Sequence, residues 1–146
     1  MTQKCMANED TRVALAALRT MVSIGDATLA KVTNQLTLTQ FRALRTVAER
    51  TPVTITRVAQ ELELNPSSVT RACEKLVALG LVNRAQNPLN RRETLLAPTA
   101  RGRQIVDQVD ADRQEVLGAV LDRLSPETRA AVVAAFAEFT AAAAEH

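Results

Sequence analysis

The chain has 146 residues, of which 47% are hydrophobic and 2% aromatic, and a formal net charge of +2. This length suits one domain around a single core. The only histidine is the last residue, His146, which excludes a histidine-based catalytic triad and a multi-histidine metal site. Phosphate-loop, paired-carboxylate and dinucleotide motifs are also lacking. We therefore expect no catalytic residues, no metal and no cofactor.

The first predicted helix, residues 10–33, is apolar on two sides. Its hydrophobic residues recur at helical spacing in two stripes: Val13, Ala17, Met21 and Ile24 on one side, and Leu15, Leu18, Val22 and Leu29 nearly opposite. Such a helix is packed on two sides. One side is expected to face its own domain, and the other side suits a second subunit.

Three shorter helices are predicted next, each with a capping residue at its start. Thr37 and Gln40 form a capping box, Thr54 caps the second helix, and Asn65, which precedes a proline, opens the third. Gly80 supplies the C-terminal stop of the third helix. The three helices cover residues 37–50, 54–62 and 66–79.

After Gly80 the spacing of apolar residues changes from the helical period to the alternating period of strands. Residues 81–86 and 93–97 are strand candidates on either side of the turn NPLNRR, residues 87–92. Two long helices follow, at about 100–124 and from 125 to the end. The predicted fold is mainly α with a small two- to three-stranded β-wing, a winged helix-turn-helix flanked by long N- and C-terminal helices.

Charge is concentrated in the middle of the chain. Between Arg42 and Arg103 eleven basic and five acidic residues give a net charge of +6, whereas the remainder carries −4. A basic middle between acidic flanks indicates a polyanionic partner.

Helix 66–79 has the pattern of a DNA recognition helix. Its apolar positions 69, 72, 73 and 76 face the core, while small hydroxyl and basic residues occupy a different face with Glu74. A solvated polar stripe is the alternative interpretation of this face. The basic middle and the hairpin arginines, Arg91 and Arg92, favour DNA contact. The residues of the helix predicted to bind DNA are Ser67, Ser68, Thr70, Arg71 and Lys75.

The segment from about Leu36 to Gly102 resembles the MarR (multiple antibiotic resistance regulator) family of winged helix-turn-helix transcription factors. The resemblance rests on LTLTQFRAL, ITRVAQEL, NPSSVTRACEKLVALGLVNRAQNPLNRR and LLAPTARG. Two departures stand out: Asn87 and Asn90 replace the two aspartates of the family's wing motif, and Pro98 replaces a leucine.

The resemblance implies an obligate homodimer on a pseudo-palindromic site in double-stranded DNA. Residues 36–98 form the DNA-binding lobe of a single chain domain, and residues 10–33 and 99–145 form the helical dimerisation lobe. The resemblance also adds Arg84 to the DNA-binding residues. It implies that Arg91 and Arg92 enter the minor groove and that Asn90 holds Arg92 in position.

Relatives of this kind often bind a small aromatic or anionic effector. The candidate lining is Leu15, Leu18, Met21, Leu44 and Val47, for which plain core is the alternative interpretation. Cys5, near the N-terminus, is a candidate oxidant sensor, with an inert thiol as the alternative. Cys73 faces inward and is interpreted as core.

The expected function is a dimeric, sequence-specific DNA-binding transcription regulator, a repressor released by a small ligand or oxidant. The alternative is a winged-helix dimer that acts as a protein-interaction scaffold without operator binding. No uninterrupted run of about 18 apolar residues and no signal-peptide core is apparent, so we expect a cytoplasmic protein without a membrane partner.

Overall fold

The computed structural model describes residues 2–145, with side chains described from Met6 onward. Over this range the chain forms six helices and a three-stranded antiparallel sheet, which confirms the predicted mainly α fold. The first helix begins at Thr2, well before the predicted start near residue 10. The elements are α1 Thr2–Val32, α2 Leu38–Arg50, β1 Val53–Thr54, α3 Ile55–Leu62, α4 Pro66–Ala78, β2 Val82–Asn87, β3 Asn90–Pro98, α5 Ala100–Asp122 and α6 Pro126–Ala143.

The chain divides into two compact units, one ending at Ala111 and the other starting at Asp112. The buried hydrophobic side chains of the described residues all fall between Leu29 and Val109, inside the first unit. This winged unit therefore has its own core. The centre of that core is formed by Phe41, Leu44, Val47, Val58, Val69, Leu76, Leu81 and Leu96.

Short-range hydrogen bonds start the helices where the sequence predicts. The Thr37 hydroxyl accepts from the Gln40 backbone N–H at 3.2 Å, and the Gln40 side chain accepts from the Thr37 N–H at 3.0 Å, a complete capping box. Thr54 Oγ1 caps α3 by accepting from the Arg57 N–H at 3.2 Å. Between α3 and α4 the chain turns at Glu63, which adopts a left-handed backbone with φ of 53°.

The sheet has the strand order β1-β3-β2. Leu96 of β3 pairs with Val53 on one side and with Arg84 on the other. The sequence did not reveal β1, because two residues are too few to show an alternating period. Its pairing places the start of α3 against the base of the wing.

The end of α4 and the start of α5 meet at two glycines. Gly80 has a φ of +73°, and the bonds from its N–H to Val77 O (3.0 Å) and from the Leu81 N–H to Leu76 O (2.9 Å) close the helix. A Cβ on Gly102 would lie 2.2 Å from Leu81 O. The PTARG motif thus lets the first turn of α5 lie directly against the exit from α4.

The helical ends of the chain remain largely uncovered. None of the described residues from 112 to 145 is buried, and the Phe136 and Phe139 side chains are 44% and 69% exposed. In α1, the members of the predicted stripes are exposed from Val13 to Val22, Ile24 is half-buried and Leu29 is buried. The expected burial of α1 on two sides is therefore seen only near the end of the helix among the described residues.

By length and composition, Met6–Val32 is apolar enough to cross a membrane, in the part of the chain that the structure describes. The sequence expectation concerned an uninterrupted apolar run, whereas this helix passes a looser test in which residues 13–30 contain two charges, Arg19 and Asp26. Core helices of soluble proteins and N-terminal signal sequences pass the same test, so the finding is weak support for a membrane span.

Candidate nucleic-acid interface

Helix α4, the predicted recognition helix, divides into the two faces that the sequence predicts. Val69, Ala72, Cys73 and Leu76 are buried, while positions 67, 68, 71, 74 and 75 are exposed. Burial of the apolar side fixes the rotation of the helix about its axis. The hydroxyl and basic side chains are thereby turned to solvent along one surface.

Two hydroxyl groups near the start of α4 donate hydrogen bonds to neighbouring residues. The Ser67 hydroxyl donates to Asn65 Oδ1 at 2.8 Å, and that same oxygen accepts from the Ser67 N–H at 2.9 Å. Thr70 Oγ1 donates to Pro66 O at 2.9 Å. In this arrangement the oxygens of Ser67 and Thr70 keep lone pairs that can accept from a ligand. Among the described residues, Ser68 Oγ has no such partner.

Arg84 of β2 faces α4 across a cavity of about 220 Å³. From α4, Thr70, Cys73 and Glu74 line the same cavity, and Thr94 of β3 lines it from the sheet. The structure therefore brings Arg84 beside the polar surface of α4. The resemblance named Arg84 as a DNA-binding residue without placing it, because a strand residue's distance from a helix depends on the tertiary fold.

The wing turns more tightly than the sequence suggests. Pro88 and Leu89 alone form the turn, because Asn87 already pairs with Asn90. The next pair along is Gln86 with Thr94, so Arg91, Arg92 and Glu93 bulge out of β3 without partners on β2. The two arginines were predicted within the turn, and this placement was wrong: they lie in a bulge beside it. Bulges re-aim side chains, and here both arginine side chains are exposed.

Amide side chains hold the bulge in shape. Gln86 Nε2 donates to Arg91 O at 2.9 Å, and Asn87 Nδ2 donates to Glu93 Oε2 at 3.1 Å. Asn90 Oδ1 accepts from the backbone N–H of Arg92 at 3.2 Å. Our expectation that Asn90 holds the Arg92 guanidinium is corrected, because Asn90 instead fixes the backbone of the bulge.

Three arginines of the winged unit are paired within the unit. Arg45 pairs with Asp110, and Arg50 and Arg57 both bind Glu61 at 3.1 and 3.2 Å. These three belong to the scaffold. In contrast, the predicted DNA-binding cations have no hydrogen bond or ion pair from their side chains to other described residues: Arg71, Lys75, Arg84, Arg91 and Arg92. Their charge is available to an external anion.

The five residues predicted to line an effector pocket differ in burial. Leu44 and Val47 are fully buried in the core, whereas Leu15, Leu18 and Met21 of α1 are 40–57% exposed. Helical spacing alone did not distinguish a core residue from one on an uncovered face.

The two cysteines differ in what the structure shows. Cys73 is 2% exposed, and burial raises the pKa of its thiol from 9.0 to about 11, so at neutral pH it is an unreactive core residue. Cys5 lies in the first turns of α1 rather than before the helix, and its side chain is outside the described residues.

Comparison with known proteins agrees with this geometry. The sequence profile of the MarR family matches residues 36–94. The uncharacterized HTH-type transcriptional regulator YwhA of Bacillus subtilis is 26% identical over 121 residues, which are 83% of this chain and 85% of the relative.

Solved structures extend the likeness over nearly the whole chain. RV1404 from Mycobacterium tuberculosis superposes with a TM-score of 0.83 at 33% identity, covering 90% of each chain. Streptococcus pneumoniae FabT, solved in complex with DNA, has a TM-score of 0.80 at 16% identity, covering 92% of this chain and 97% of FabT; this likeness shows the fold alone. The profile match, the relatives and the winged architecture together establish that the chain belongs to the MarR family of winged helix-turn-helix transcription regulators.

Proposed function

We propose that this chain is a dimeric, sequence-specific DNA-binding transcription regulator that acts as a repressor. One observation carries the proposal: the polar surface of α4 and the bulge of the wing expose cations that have no partner among the described residues. Scaffold arginines of the same unit are neutralised by Asp110 and Glu61. The unpaired cations of α4, β2 and the bulge leave their charge available to a polyanion such as DNA.

Each group has a proposed role set by its position. The N-terminal half of α4 enters the major groove, where Arg71 makes a bidentate contact to guanine. Lys75, one turn further along, binds phosphate, and so does Arg84 at the base of the wing. Arg91 and Arg92 enter the minor groove, whose narrow A·T-rich stretches attract thin cationic side chains.

Dimerisation follows from the uncovered helices at both chain ends. We propose that residues 10–33 and 99–145 form the dimerisation lobe and residues 36–98 the DNA-binding lobe. Two recognition helices related by a twofold axis then sit about 34–36 Å apart, one turn of a pseudo-palindromic operator. The apolar surface of α6 gives this interface its driving force.

Repression requires only that the operator be occupied, which this interface supplies. Release by a small aromatic or anionic ligand, or by an oxidant, is the proposed control. This control rests on the family resemblance, because the five candidate pocket residues differ in burial and the side chain of Cys5 is outside the described residues. Titration of the protein–operator complex with an aromatic carboxylate and with hydrogen peroxide tests the two routes separately.

The salt dependence of binding tests the proposal as a whole. Operators are first selected from a random DNA pool, and their affinity is then measured from 50 to 200 mM salt. The five predicted DNA-binding cations of each protomer, doubled by symmetry, neutralise roughly six to ten phosphate charges, so affinity falls by about 10³- to 10⁵-fold. A dimer that binds neither selected nor bulk DNA at low salt would instead be the protein-interaction scaffold. A salt-insensitive complex would contradict the role of the unpaired cations.

Three substitutions test the wing. Arg92→Ala is expected to weaken binding more than Arg91→Ala, and both more than Asn90→Ala, because only the arginines bring charge to the groove. The loss for Arg92→Ala is expected to be largest on operators with A·T-rich flanks. Equal losses on A·T-rich and G·C-rich flanks would show that the wing contacts only the DNA backbone.

A further inference from the structure

Leu89 is the most exposed large hydrophobic side chain among the described residues, with 96% of its surface open to solvent. The others are 38–69% exposed and lie on α1, α5 and α6, where they belong to long apolar faces. Leu89 stands apart from them at the tip of the wing, between Pro88 and Asn90. Its environment requires a different explanation from that of the helical faces.

The structure holds Leu89 in place without covering it. Pro88 restricts the backbone before it, and the Leu89 N–H donates to Asn87 Oδ1 at 3.0 Å. The other end of the Asn87 amide is bonded to Glu93, and Asn87 also pairs with Asn90 across the turn. The backbone of the tip is therefore fixed, and the leucine side chain projects into solvent.

Charge around the tip indicates the partner. Arg91 and Arg92 follow Leu89 by two and three residues, are exposed, and have no partner for their guanidinium groups in the described part of the chain. Two free cations beside one apolar projection match a DNA minor groove, which combines strong negative potential with sugar and base edges of apolar character. A surface of phosphates alone offers the leucine nothing to contact.

We propose that Leu89 enters the minor groove as an apolar contact beside Arg91 and Arg92. This inference rests on the proposed DNA-binding function and adds a residue to it. Apolar side chains that enter the minor groove wedge against base steps and favour steps that unstack easily, such as TA and CA. Leu89 accordingly contributes a preference for flexible steps at the outer part of each half-site.

A polar and an apolar replacement of Leu89 separate this role from hairpin geometry. Leu89→Asn removes the apolar contact at a turn position that tolerates asparagine, whereas Leu89→Met keeps it. Leu89→Asn is expected to weaken operator binding about tenfold, corresponding to burial of roughly half of a leucine side chain. Leu89→Met is expected to stay within about twofold of the wild type. The measurement is a binding titration at four salt concentrations on operators with and without a TA step facing the wing.

The salt slope is the decisive readout. Leu89 carries no charge, so Leu89→Asn is expected to lower affinity without changing the slope of log K against log salt, while Arg92→Ala lowers the slope by about 0.9 for each phosphate that is no longer neutralised. Unchanged affinity in Leu89→Asn, or an equal loss in Leu89→Met, would overturn the role of Leu89 while leaving DNA binding intact. Absence of any DNA binding by the wild-type protein would overturn the proposed function and this inference together. Equal melting temperatures for the wild type, Leu89→Asn and Leu89→Met establish that the substitutions at this exposed position leave the fold unchanged.

Discussion

The winged unit, which ends at Ala111, and the helical unit, which starts at Asp112, differ in how many of their apolar residues are buried. In the winged unit, residues from α2, α3, α4 and the sheet bury one another, and Phe41, Leu44 and Leu76 have no exposed surface. In the unit from Asp112 onward, no described residue is buried, although α6 contains Val133, Phe136 and Phe139. Both units are rich in apolar residues, but those buried among the described residues all lie between Leu29 and Val109, and the first part of α1 stays exposed like α6.

This difference indicates that the two units have different requirements for folding. The winged unit has the core that a small domain needs, whereas an isolated helix with an uncovered apolar face is unstable in water. We therefore expect α6 and most of α1 to depend on a second copy of the chain. The following predictions test that difference between the two units.

The largest effect is expected from charges on the uncovered face of α6. The double substitution Phe136→Glu and Phe139→Glu should prevent dimerisation, because it places carboxylates on the face that a second copy would cover. DNA affinity should fall by about 10²- to 10⁴-fold, since two half-sites are no longer held together. Sedimentation and operator titration measure the two effects. Glu138→Ala on the same helix is the control, and a double variant that remains dimeric would contradict the assignment of this face.

Two glycines of α5 offer a matched pair, one in each unit. In the winged unit, Gly102→Ala places a Cβ 2.2 Å from Leu81 O and 3.2 Å from Leu44 Cδ1, so the free energy of unfolding should fall by about 3 kcal/mol. In the helical unit, Gly118 has nothing within 4 Å of an added Cβ. Gly118→Ala should therefore raise stability by about 0.5–1 kcal/mol through helix propensity.

Chemical denaturation of the two glycine variants measures these changes in stability. A destabilising Gly118→Ala would show that a partner packs closely against that side of α5. A neutral Gly102→Ala would show that the contact between α5 and the exit from α4 is loose.

The recognition surface gives a smaller and more selective effect. Arg71→Ala should cost about 1–3 kcal/mol of binding free energy and relax the preference at one position in each half-site. Lys75→Ala should weaken binding to all sequences alike, because a phosphate contact carries no sequence information. Selection of bound DNA by each variant distinguishes the two results. Loss of affinity in both variants without any change of preference would mean that another residue reads the bases.

The smallest effect concerns Cys73 in the winged core. Burial raises the pKa of its thiol to about 11 in the folded chain from 9.0, so the folded state holds this proton more tightly than the unfolded state. The resulting stabilisation is complete below pH 9 and is lost as pH rises toward 11, with a loss of about 1.4 kcal/mol at pH 10. Comparing the wild type with Cys73→Ala at pH 8 and pH 10 isolates this thiol. Identical pH dependence in the two proteins would show that Cys73 is accessible to solvent.

The sequence by itself determined the features that depend on neighbouring residues. Thr37, Asn65 and Ser125 start their helices through hydrogen bonds that span two or three residues. The inward face of α4 followed from helical spacing, and the family followed from motifs between Leu36 and Gly102. These signals are legible because each is complete within one helical turn or one short segment.

Features that depend on contacts between distant segments were decided by the tertiary structure alone. The strand β1 exists because Val53 meets Leu96, and the arginine bulge exists because Gln86 pairs with Thr94 while Asn87 pairs with Asn90. The tertiary structure also decided which of the equally apolar helical stripes is buried. Leu44 is buried because three helices and the sheet surround α2, whereas residues at the same spacing in the first part of α1 stay exposed. Periodicity records which face of a helix is apolar, but coverage of that face requires a surface from elsewhere in the fold.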